Sequence, residues 1–478
     1  MAKRIEGDFV ITDLYDLKLE EYEEIEKNYW GEEEYEFTLE EYYEQIVGDL
    51  KPDEKFVATR YTGSAEEVTI PDSVVGVGER LFFQNKTLRK VNIPDSVNRV
   101  YDFAFFECFA LEEVNFGSNV AEVGIYAFCG CTSLKRISFP KSMRNLGESM
   151  LKDCSALEEI CFNDGLKTIA KQLMGFKNNS LKKIVIPDSV EVIDWQAFYG
   201  CSALEEVVFG KNLRVIEVSA FCECSSLQEV SLPESLEEIG LSAFSKCNLK
   251  GVYIPKNVKG IGWKAFENNR RFKKIEISPD NPYLYVRNNC IFDKGDDILL
   301  GAVGKYEIPN DGSVKIIARS AFHQDRSIVD LQLPEGLEVI EDAVFDECVN
   351  LRSVRFPSSL TKIGAAVFGD CSALTEITVL GNVRSIGGHA FFRSGLTKAV
   401  LKRGVTVLGD YAFRSCKSLR EVFIPSTVIL EEDAAPFYEC DKSLKIYVEK
   451  SGEERQNKLM KALKKYNVEF ITESDIFD

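Results

Sequence analysis

The cysteines are the residues of this chain best suited to chemistry, because a thiolate can bind metals, attack electrophiles or form disulfides. The 478-residue chain contains 14 cysteines. Most of them share one position of a repeated sequence unit, and Cys440 joins them after a one-residue insertion: Cys108, Cys131, Cys154, Cys201, Cys224, Cys247, Cys348, Cys371, Cys416 and Cys440. Metal ligands converge on a point, whereas residues at one repeat position stack along a line. We therefore predict a ladder of buried thiols that donate weakly to turn carbonyls. Metal binding through Cys129-x-Cys131 or Cys222-x-Cys224 is the alternative.

The other catalytic residue types are scarce. The two histidines, His323 and His389, lie far apart in sequence, and neither has a phased serine or cysteine nucleophile that would suggest a triad. The segment Gly301–Lys305 lacks the second half of a phosphate-binding loop. We predict no catalytic residues, no metal, no cofactor and no enzymatic activity.

Composition and charge narrow the classes of partner. Hydrophobic residues make up 45% of the chain, enough for a large core, while 77 acidic and 58 basic residues give a net charge of −19. That charge opposes binding to nucleic acid or to anionic membranes. No apolar run is long enough to span a membrane. Charges near the N-terminus and closely spaced thiols favour a cytoplasmic location, and a cell-surface or secreted protein whose signal peptide was removed is the alternative.

A repeat of 23 residues organises these side chains. Ile70-Pro71 recurs in phase as Ile93-Pro94, Phe116-Gly117, Phe139-Pro140, Phe162-Asn163, Ile186-Pro187 and onward to Ile424-Pro425. With the proline counted as position 1, position 12 is phenylalanine in Phe82, Phe105, Phe128, Phe198, Phe221, Phe244, Phe266, Phe345, Phe368 and Phe391. The last positions alternate apolar and polar residues, as in Leu134–Phe139, which predicts one short strand per repeat. Because one such unit cannot bury its apolar face alone, stacking must supply the core.

This pattern resembles the bacterial leucine-rich repeat family of the BspA type, whose repeat reads roughly Ser-Leu-x-x-Ile-x-Ile-Pro-x-Ser-Val-x-x-Ile-Gly-x-x-Ala-Phe-x-x-Cys. The resemblance covers about residues 54–448. It implies an α/β-type repeat solenoid, coiled right-handed, with one short strand per repeat and with N- and C-terminal caps. Where function is known in the family, the resemblance implies surface adhesion or protein binding.

Departures from the repeat define three regions. Residues 1–70 are predicted to form an N-terminal cap hairpin that carries a helical insertion over 13–53. Residues 71–448 form the solenoid, interrupted by a hairpin insertion over 278–308, in which two strand-like runs flank a Gly-containing turn. Residues 449–478 are predicted to close the stack with a helix and a strand.

The N-terminal insertion carries most of the acidity. Residues 13–49 hold 15 Asp or Glu against two lysines, a net charge of −13. Leucine, isoleucine and tyrosine residues recur there at helical spacing, which predicts two short amphipathic helices. They could shield the open edge of the first turn, or they could dock a basic partner. The candidate docking residues are Tyr22, Tyr29, Trp30, Glu33, Glu34 and Tyr35.

The strand face is the other candidate partner surface. Charge alternates along it, from Arg89-Lys90 to Glu112-Glu113 to Lys135-Arg136, which predicts in-register pairing of opposite charges. Position 22 should also point outward, yet it carries apolar residues, and those we select as partner-binding candidates are Val185, Val208, Tyr253, Val400, Phe423 and Tyr447. Exposed apolar stripes suggest contact with another protein. Cover by the hairpin insertion or self-association is the alternative. The sequence thus predicts a non-enzymatic protein-interaction scaffold, with a surface adhesin as the alternative function.

Overall fold

The computed structural model describes residues 4–13, 56–175, 178–430, 434–450, 452, 459, 461, 463–464, 466–472 and 476. The insertion predicted over 13–53 therefore lies outside the described residues, except for its first residue. The chain forms two compact units, Met1–Lys273 and Lys274–Asp478.

The first unit contains twenty β-strands. They are β1 (Arg4–Glu6), β2 (Phe9–Asp13), β3 (Phe56–Tyr61), β4 (Glu67–Thr69), β5 (Gly76–Val77), β6 (Lys90–Asn92), β7 (Arg99–Val100), β8 (Glu113–Asn115), β9 (Glu122–Val123), β10 (Arg136–Ser138), β11 (Asn145–Leu146), β12 (Glu159–Cys161), β13 (Thr168–Ile169), β14 (Lys183–Val185), β15 (Val192–Ile193), β16 (Glu206–Val208), β17 (Val215–Ile216), β18 (Glu238–Ile239), β19 (Gly251–Ile254) and β20 (Gly260–Ile261) among the residues described.

The second unit contains sixteen. They are β21 (Lys274–Ile277), β22 (Leu284–Arg287), β23 (Cys290–Asp293), β24 (Leu299–Ala302), β25 (Ile316–Ile317), β26 (Asp330–Gln332), β27 (Val339–Ile340), β28 (Ser353–Arg355), β29 (Lys362–Ile363), β30 (Glu376–Val379), β31 (Ser385–Ile386), β32 (Lys398–Leu401), β33 (Val407–Leu408), β34 (Glu421–Ile424), β35 (Lys445–Glu449) and β36 (Asn467–Ile471), again counted over the described part.

Most turns of the chain contain two strands rather than the one that the sequence predicts. The expected strand, at positions 20–22, pairs in parallel with its copy in the next turn, as β4, β6 and β8 do. A second strand of two residues at positions 6–7 also pairs in parallel, in the series β5, β7, β9 and β11. Two residues are too few to show strand periodicity, so this element is invisible to pattern analysis.

The α/β label is not supported. Among the described residues, Leu459, Lys461 and Leu463 are the only α-helical ones, and the architecture is a β-solenoid. The second half of each repeat turns tightly instead of forming a helix.

Stacked phenylalanine rings fill the interior of each unit. In the first unit, Phe221 lies between Phe198 and Phe244 with centroid distances of 5.2 and 5.3 Å and nearly parallel rings. In the second, Phe368 stacks in the same way between Phe345 and Phe391. These side chains are buried, and leucine, valine and isoleucine from the two strand positions surround them. The core predicted from position 12 is present.

Residues with a left-handed backbone conformation make the turns tight. Positions 10 and 14 of most turns have positive φ although few of them are glycine or asparagine, as in Arg80 (φ 54), Gln84 (φ 55), Phe103 (φ 56) and Glu107 (φ 54). A side chain in this region costs roughly 1–2 kcal/mol per residue. Backbone hydrogen bonds between turns stabilise this conformation. For example, Phe82 N donates to Ala104 O at 2.8 Å and Gln84 N donates to Phe106 O at 2.7 Å.

The insertion at 278–308 contains three strands, where the sequence predicts a hairpin of two. The first predicted run is split, because β22 and β23 pair antiparallel around Asn288 and Asn289. Both asparagines have positive φ, the geometry of the tight turn that best suits a two-residue hairpin. Strand β24 then pairs antiparallel with β23 and parallel with β25, which joins the insertion to the repeat.

The ends of the two units carry additional strands. Strands β1, β2 and β3 form an antiparallel group, and β3 pairs in parallel with β5. At the other end, β36 pairs in parallel with β35, and Leu459 and Leu463 are buried in the core of the second unit.

Candidate functional site

The strand face of the first unit has the charge register that the sequence predicts. Lys183 lies opposite Glu206 in the pair β14–β16, with Nζ and Oε1 2.7 Å apart. Arg136 and Glu159 are aligned in β10–β12, with Nε and Oε2 3.3 Å apart. Such exposed pairs contribute little to stability. Opposite charges on neighbouring strands attract and like charges there would repel, so the alternation favours the observed pairing of turns.

Two apolar side chains stand exposed on this charged face. Val185 and Val208 are register partners in β14 and β16 and are 51% and 40% exposed. Cys161, at the same repeat position of β12, is partly exposed. Tyr253 of β19 is exposed as well. The outward orientation expected for these residues is therefore present, and their binding role stays a prediction.

The second predicted stripe is less exposed than the sequence predicts, since Phe423 is buried while Val400 and Tyr447 are partly exposed. Val400, Phe423 and Tyr447 are register neighbours in β32, β34 and β35. Phe423 is only 8% exposed, because its ring stacks on Tyr447 at 4.7 Å and the Lys398 ammonium lies 5.3 Å from its centroid. The expectation that Phe423 is exposed is therefore wrong. Large neighbouring side chains cover each other even where the strand points outward.

The remaining predicted docking residues lie outside the described part of the chain. They are Tyr22, Tyr29, Trp30, Glu33, Glu34 and Tyr35. Whether the acidic insertion acts as a cap or a dock stays open.

The cysteine ladder is confirmed as a structural feature. In turn after turn, the thiol at position 15 donates to the carbonyl oxygen of the position-12 phenylalanine of the preceding turn. The Sγ–O distances run from 3.0 to 3.3 Å in Cys108–Phe82, Cys131–Phe105, Cys154–Phe128, Cys224–Phe198, Cys247–Phe221, Cys348–Phe322, Cys371–Phe345, Cys416–Phe391 and Cys440–Phe413. All 14 cysteines are free thiols. Within the described residues, no cysteine belongs to a cluster with metal-ligand geometry.

Burial suppresses thiol reactivity. Desolvation raises the pKa of Cys108 and of Cys201 to about 12. Compared with a free thiol, this strongly reduces the thiolate population at neutral pH. The ladder cysteines are therefore structural.

We expect a water-soluble maleimide to modify Cys161 rapidly in the native protein and the ladder thiols slowly. Cys161 is partly exposed, whereas the other partly exposed thiol, Cys440, has its pKa raised to about 12 by burial. Mass spectrometry of the labelled protein measures the outcome. Cys161→Ser should remove the fast phase, and fast labelling of several ladder thiols would contradict the assignment.

An aromatic cleft in the first unit was not predicted. It encloses about 560 Å³ and is lined by Phe103, Phe106, Glu107, Phe109, Tyr126, Cys129, Gly130, Thr132, Lys152, Asp153 and Ser155. The rings of Phe103 and Tyr126 stack at 5.4 Å, and those of Phe83 and Phe106 at 5.1 Å. A sequence signal existed: in adjacent repeats, position 10 carries Phe103 and Tyr126 and position 13 carries Phe83 and Phe106, away from the buried position 12.

A second unpredicted cluster lies in the second unit. His323 Nε2 lies 3.2 Å from Asp346 Oδ2 and 3.8 Å from Glu347 Oε1. Burial, together with the nearby charges of Glu347 and Asp370, raises the pKa of Asp346 to about 6. His389 is not part of this cluster and packs against Phe392 and Tyr411. The sequence does carry a signal for this cluster, because His323 and Asp346 occupy the same position of consecutive repeats.

No helix in the described ranges is long and apolar enough to cross a membrane.

Comparison with solved structures shows what the chain is similar to. A leucine rich cell surface protein from Faecalibacterium prausnitzii A2-165 is 23% identical, with a TM-score of 0.48 over 96% of this chain and 98% of that one. A leucine-rich repeat protein from Bacteroides ovatus is 20% identical, with a TM-score of 0.42 over 88% and 99%. The pneumococcal vaccine antigen PcpA is 16% identical, with a TM-score of 0.41 over 98% and 99%. No curated protein matches the chain.

The repeats themselves identify the family. The BspA type leucine rich repeat region matches residues 57–175, 173–291, 304–420 and 389–467, which together span most of the chain. The matched segments include both strand positions, the phenylalanine column and the thiol ladder described above. The chain belongs to the BspA type family of leucine-rich repeat proteins.

Proposed function

We propose that this chain is a non-enzymatic scaffold that binds another protein through the strand face of its first unit, around Val185 and Val208. The observation that carries the proposal is that these two apolar side chains are exposed side by side on paired strands. An apolar pair on an otherwise charged surface suits an interface.

The surroundings of the pair support this proposal. Lys183 and Glu206 lie on the same strands, so the apolar centre is bordered by charge, as in protein interfaces with an apolar core and a polar rim. Parallel pairing fixes both strands in register. A surface held rigid before binding loses less conformational entropy when a partner docks.

The acidic insertion would supply a second contact. Its net charge of −13 over residues 13–49 favours a basic partner, and its tyrosines offer apolar area with polar tips. Attraction of this kind accelerates association more than it strengthens the final complex. If the insertion contributes to binding, the protein should therefore capture less of the partner at raised salt concentration.

Adhesion at the cell surface is the second candidate function. The chain belongs to a family whose resemblance implied that role, and the cytoplasmic location favoured by the sequence has no support from the comparisons. The cleft lined by Phe103, Phe106, Phe109 and Tyr126 supports it by offering a binding place, because its partly exposed rings can stack on a flat ligand.

Capture of partners by matched variants tests the leading proposal. The protein is immobilised as wild type, as Val185→Ser/Val208→Ser, as Leu241→Ser and with residues 13–50 deleted. Leu241 is a matched control, since it is 39% exposed but lies at position 9, on another side of the turn. We expect the double variant to lose a partner that the Leu241 variant keeps, with at least a tenfold reduction in recovery.

The outcomes separate the two surfaces. If the double variant and the wild type recover the same proteins in equal amounts, the strand-face proposal is wrong. If the variant without residues 13–50 recovers the same proteins as the wild type in equal amounts, the insertion is not a docking site. Fractionation of native cells decides between a cytoplasmic scaffold and a surface adhesin.

A further inference from the structure

Three potential metal ligands converge in the second unit. They are Nε2 of His323 and one carboxylate oxygen each from Asp346 and Glu347, and all three atoms lie within 4.8 Å of one another. Zinc bound at about 2.0–2.1 Å by nitrogen and oxygen in tetrahedral geometry places its ligand atoms roughly 3.3 Å apart. The observed separations of 3.2 Å and 3.8 Å from His323 are close to this value.

The backbone positions these ligands before any ion binds. His323 and Asp346 occupy position 13 of consecutive turns, and Gln324 N donates to Asp346 O at 2.7 Å. Glu347 N donates to Gly369 O at 2.8 Å in the following turn. The three side chains therefore project from backbone that is hydrogen-bonded between turns, and not from a free loop. A preformed site needs little ordering on binding.

A hydrogen bond from Gln324 orients one of the carboxylates. Gln324 Nε2 donates to Glu347 Oε2 at 2.8 Å, which leaves Oε1 as the oxygen nearest His323. Metal ligands are commonly held in this way by outer hydrogen bonds. Asp370 lies close enough to affect the charge of Asp346, but its Oδ1 pairs with Arg393 Nε at 3.2 Å.

The next turn accommodates the Asp346 carboxylate. Gly369 is at position 13 there, and a Cβ at this residue would overlap Oδ1 of Asp346. Every other residue type would therefore displace the Asp346 side chain. The glycine therefore leaves room for the Asp346 carboxylate in its observed position.

The electrostatics also favour a cation. Asp346 and its histidine partner are mostly buried, with side chains 22% and 16% exposed. Glu347 lies beside them, so two carboxylates face one imidazole, and a bound divalent ion would offset their negative charge.

We propose that His323, Asp346 and Glu347 form a binding site for a divalent transition-metal ion of the Zn²⁺ class. Imidazole nitrogen selects such ions over Ca²⁺ and Mg²⁺, which prefer all-oxygen ligands. Three protein ligands leave a fourth position for water or for a group of a bound partner.

Calorimetric titration of the full chain with zinc chloride tests the site. The protein is stripped with a chelator and carries Cys161→Ser, so that the partly exposed thiol does not compete. We expect one ion per chain, and we expect His323→Asn to weaken binding at least tenfold. His389→Asn is the matched control and should bind like the parent. Calcium chloride should give no saturable binding.

Asp346→Asn provides a second variant that should fold like the parent, because asparagine has nearly the same shape as aspartate and removes only the anionic ligand atom. It should weaken zinc binding to a similar extent, and zinc should raise the Tm of the parent but not of this variant. No saturable zinc binding by the parent, or unchanged affinity in both ligand variants, would reduce the cluster to an ordinary ion pair and overturn the proposal.

Discussion

Phe221→Ala is expected to lower the free energy of unfolding of the first unit by about 3–5 kcal/mol, the range for removing a fully buried phenylalanine. Phe221 is completely buried and stacks on Phe198 and Phe244. The substitution removes one ring from a column, so it takes packing area from two neighbours at once. The rigid stack cannot collapse around the cavity without breaking the register of the adjoining strands.

Urea unfolding followed by tryptophan fluorescence measures the effect, since Trp195 and Trp263 lie in the same unit. Phe109→Ala is the control, because Phe109 is 46% exposed and belongs to the surface cleft. Its cost should stay below about 1 kcal/mol, as for most exposed positions. Similar losses in the two variants would show that the column does not support the fold.

Gly262→Ala is expected to cost about 1–3 kcal/mol, the usual penalty for inserting a methyl group into a packed site. A Cβ at Gly262 would lie 2.5 Å from the carbonyl carbon of Gly240 and closer still to the amide nitrogen of Leu241. These are backbone atoms of the preceding turn, so they cannot move aside like a flexible side chain. Only glycine allows the two backbones to approach this closely.

Gly260→Ala is the matched control for this prediction. It lies two residues away in the same turn, and a Cβ there would meet nothing within 4 Å. We expect it to leave the urea midpoint unchanged or to raise it slightly, because alanine restricts the unfolded chain. Equal destabilisation by both substitutions would point to a general requirement for backbone flexibility and would contradict the close-approach explanation.

The repeat made much of the fold predictable from the sequence. Side chains at one repeat position must stack on each other along the solenoid. The repeat positions of Phe221 and Cys224 therefore predict a buried column of rings and a ladder of thiols. The pairing of Lys183 with Glu206 followed from the same phase together with the alternation of charge.

Other features had no sequence signal. Arg80, Gln84 and Phe103 adopt the left-handed backbone conformation, although their residue types do not favour positive φ. Hydrogen bonds between turns, and not local preference, therefore impose this conformation. Those turns also take the place of the helix that an α/β label requires.

The candidate sites were predicted only in part, because exposure depends on neighbours in the adjacent turns. Val208 and Phe423 share a repeat position, yet the aromatic ring of Tyr447 covers Phe423. His323 has no metal-ligand spacing within its own repeat, because its carboxylate partners, Asp346 and Glu347, come from the next turn.

Photo-crosslinking from the strand face tests the central claim most directly. The photoreactive residue p-benzoylphenylalanine is placed at position 208 or at position 241, which are about equally exposed on different sides of the turn. The proposal predicts that illumination of native cells links position 208 to a discrete partner, and that position 241 gives no such product. Absence of a product from position 208, or the same product from both positions, would contradict partner binding by this face.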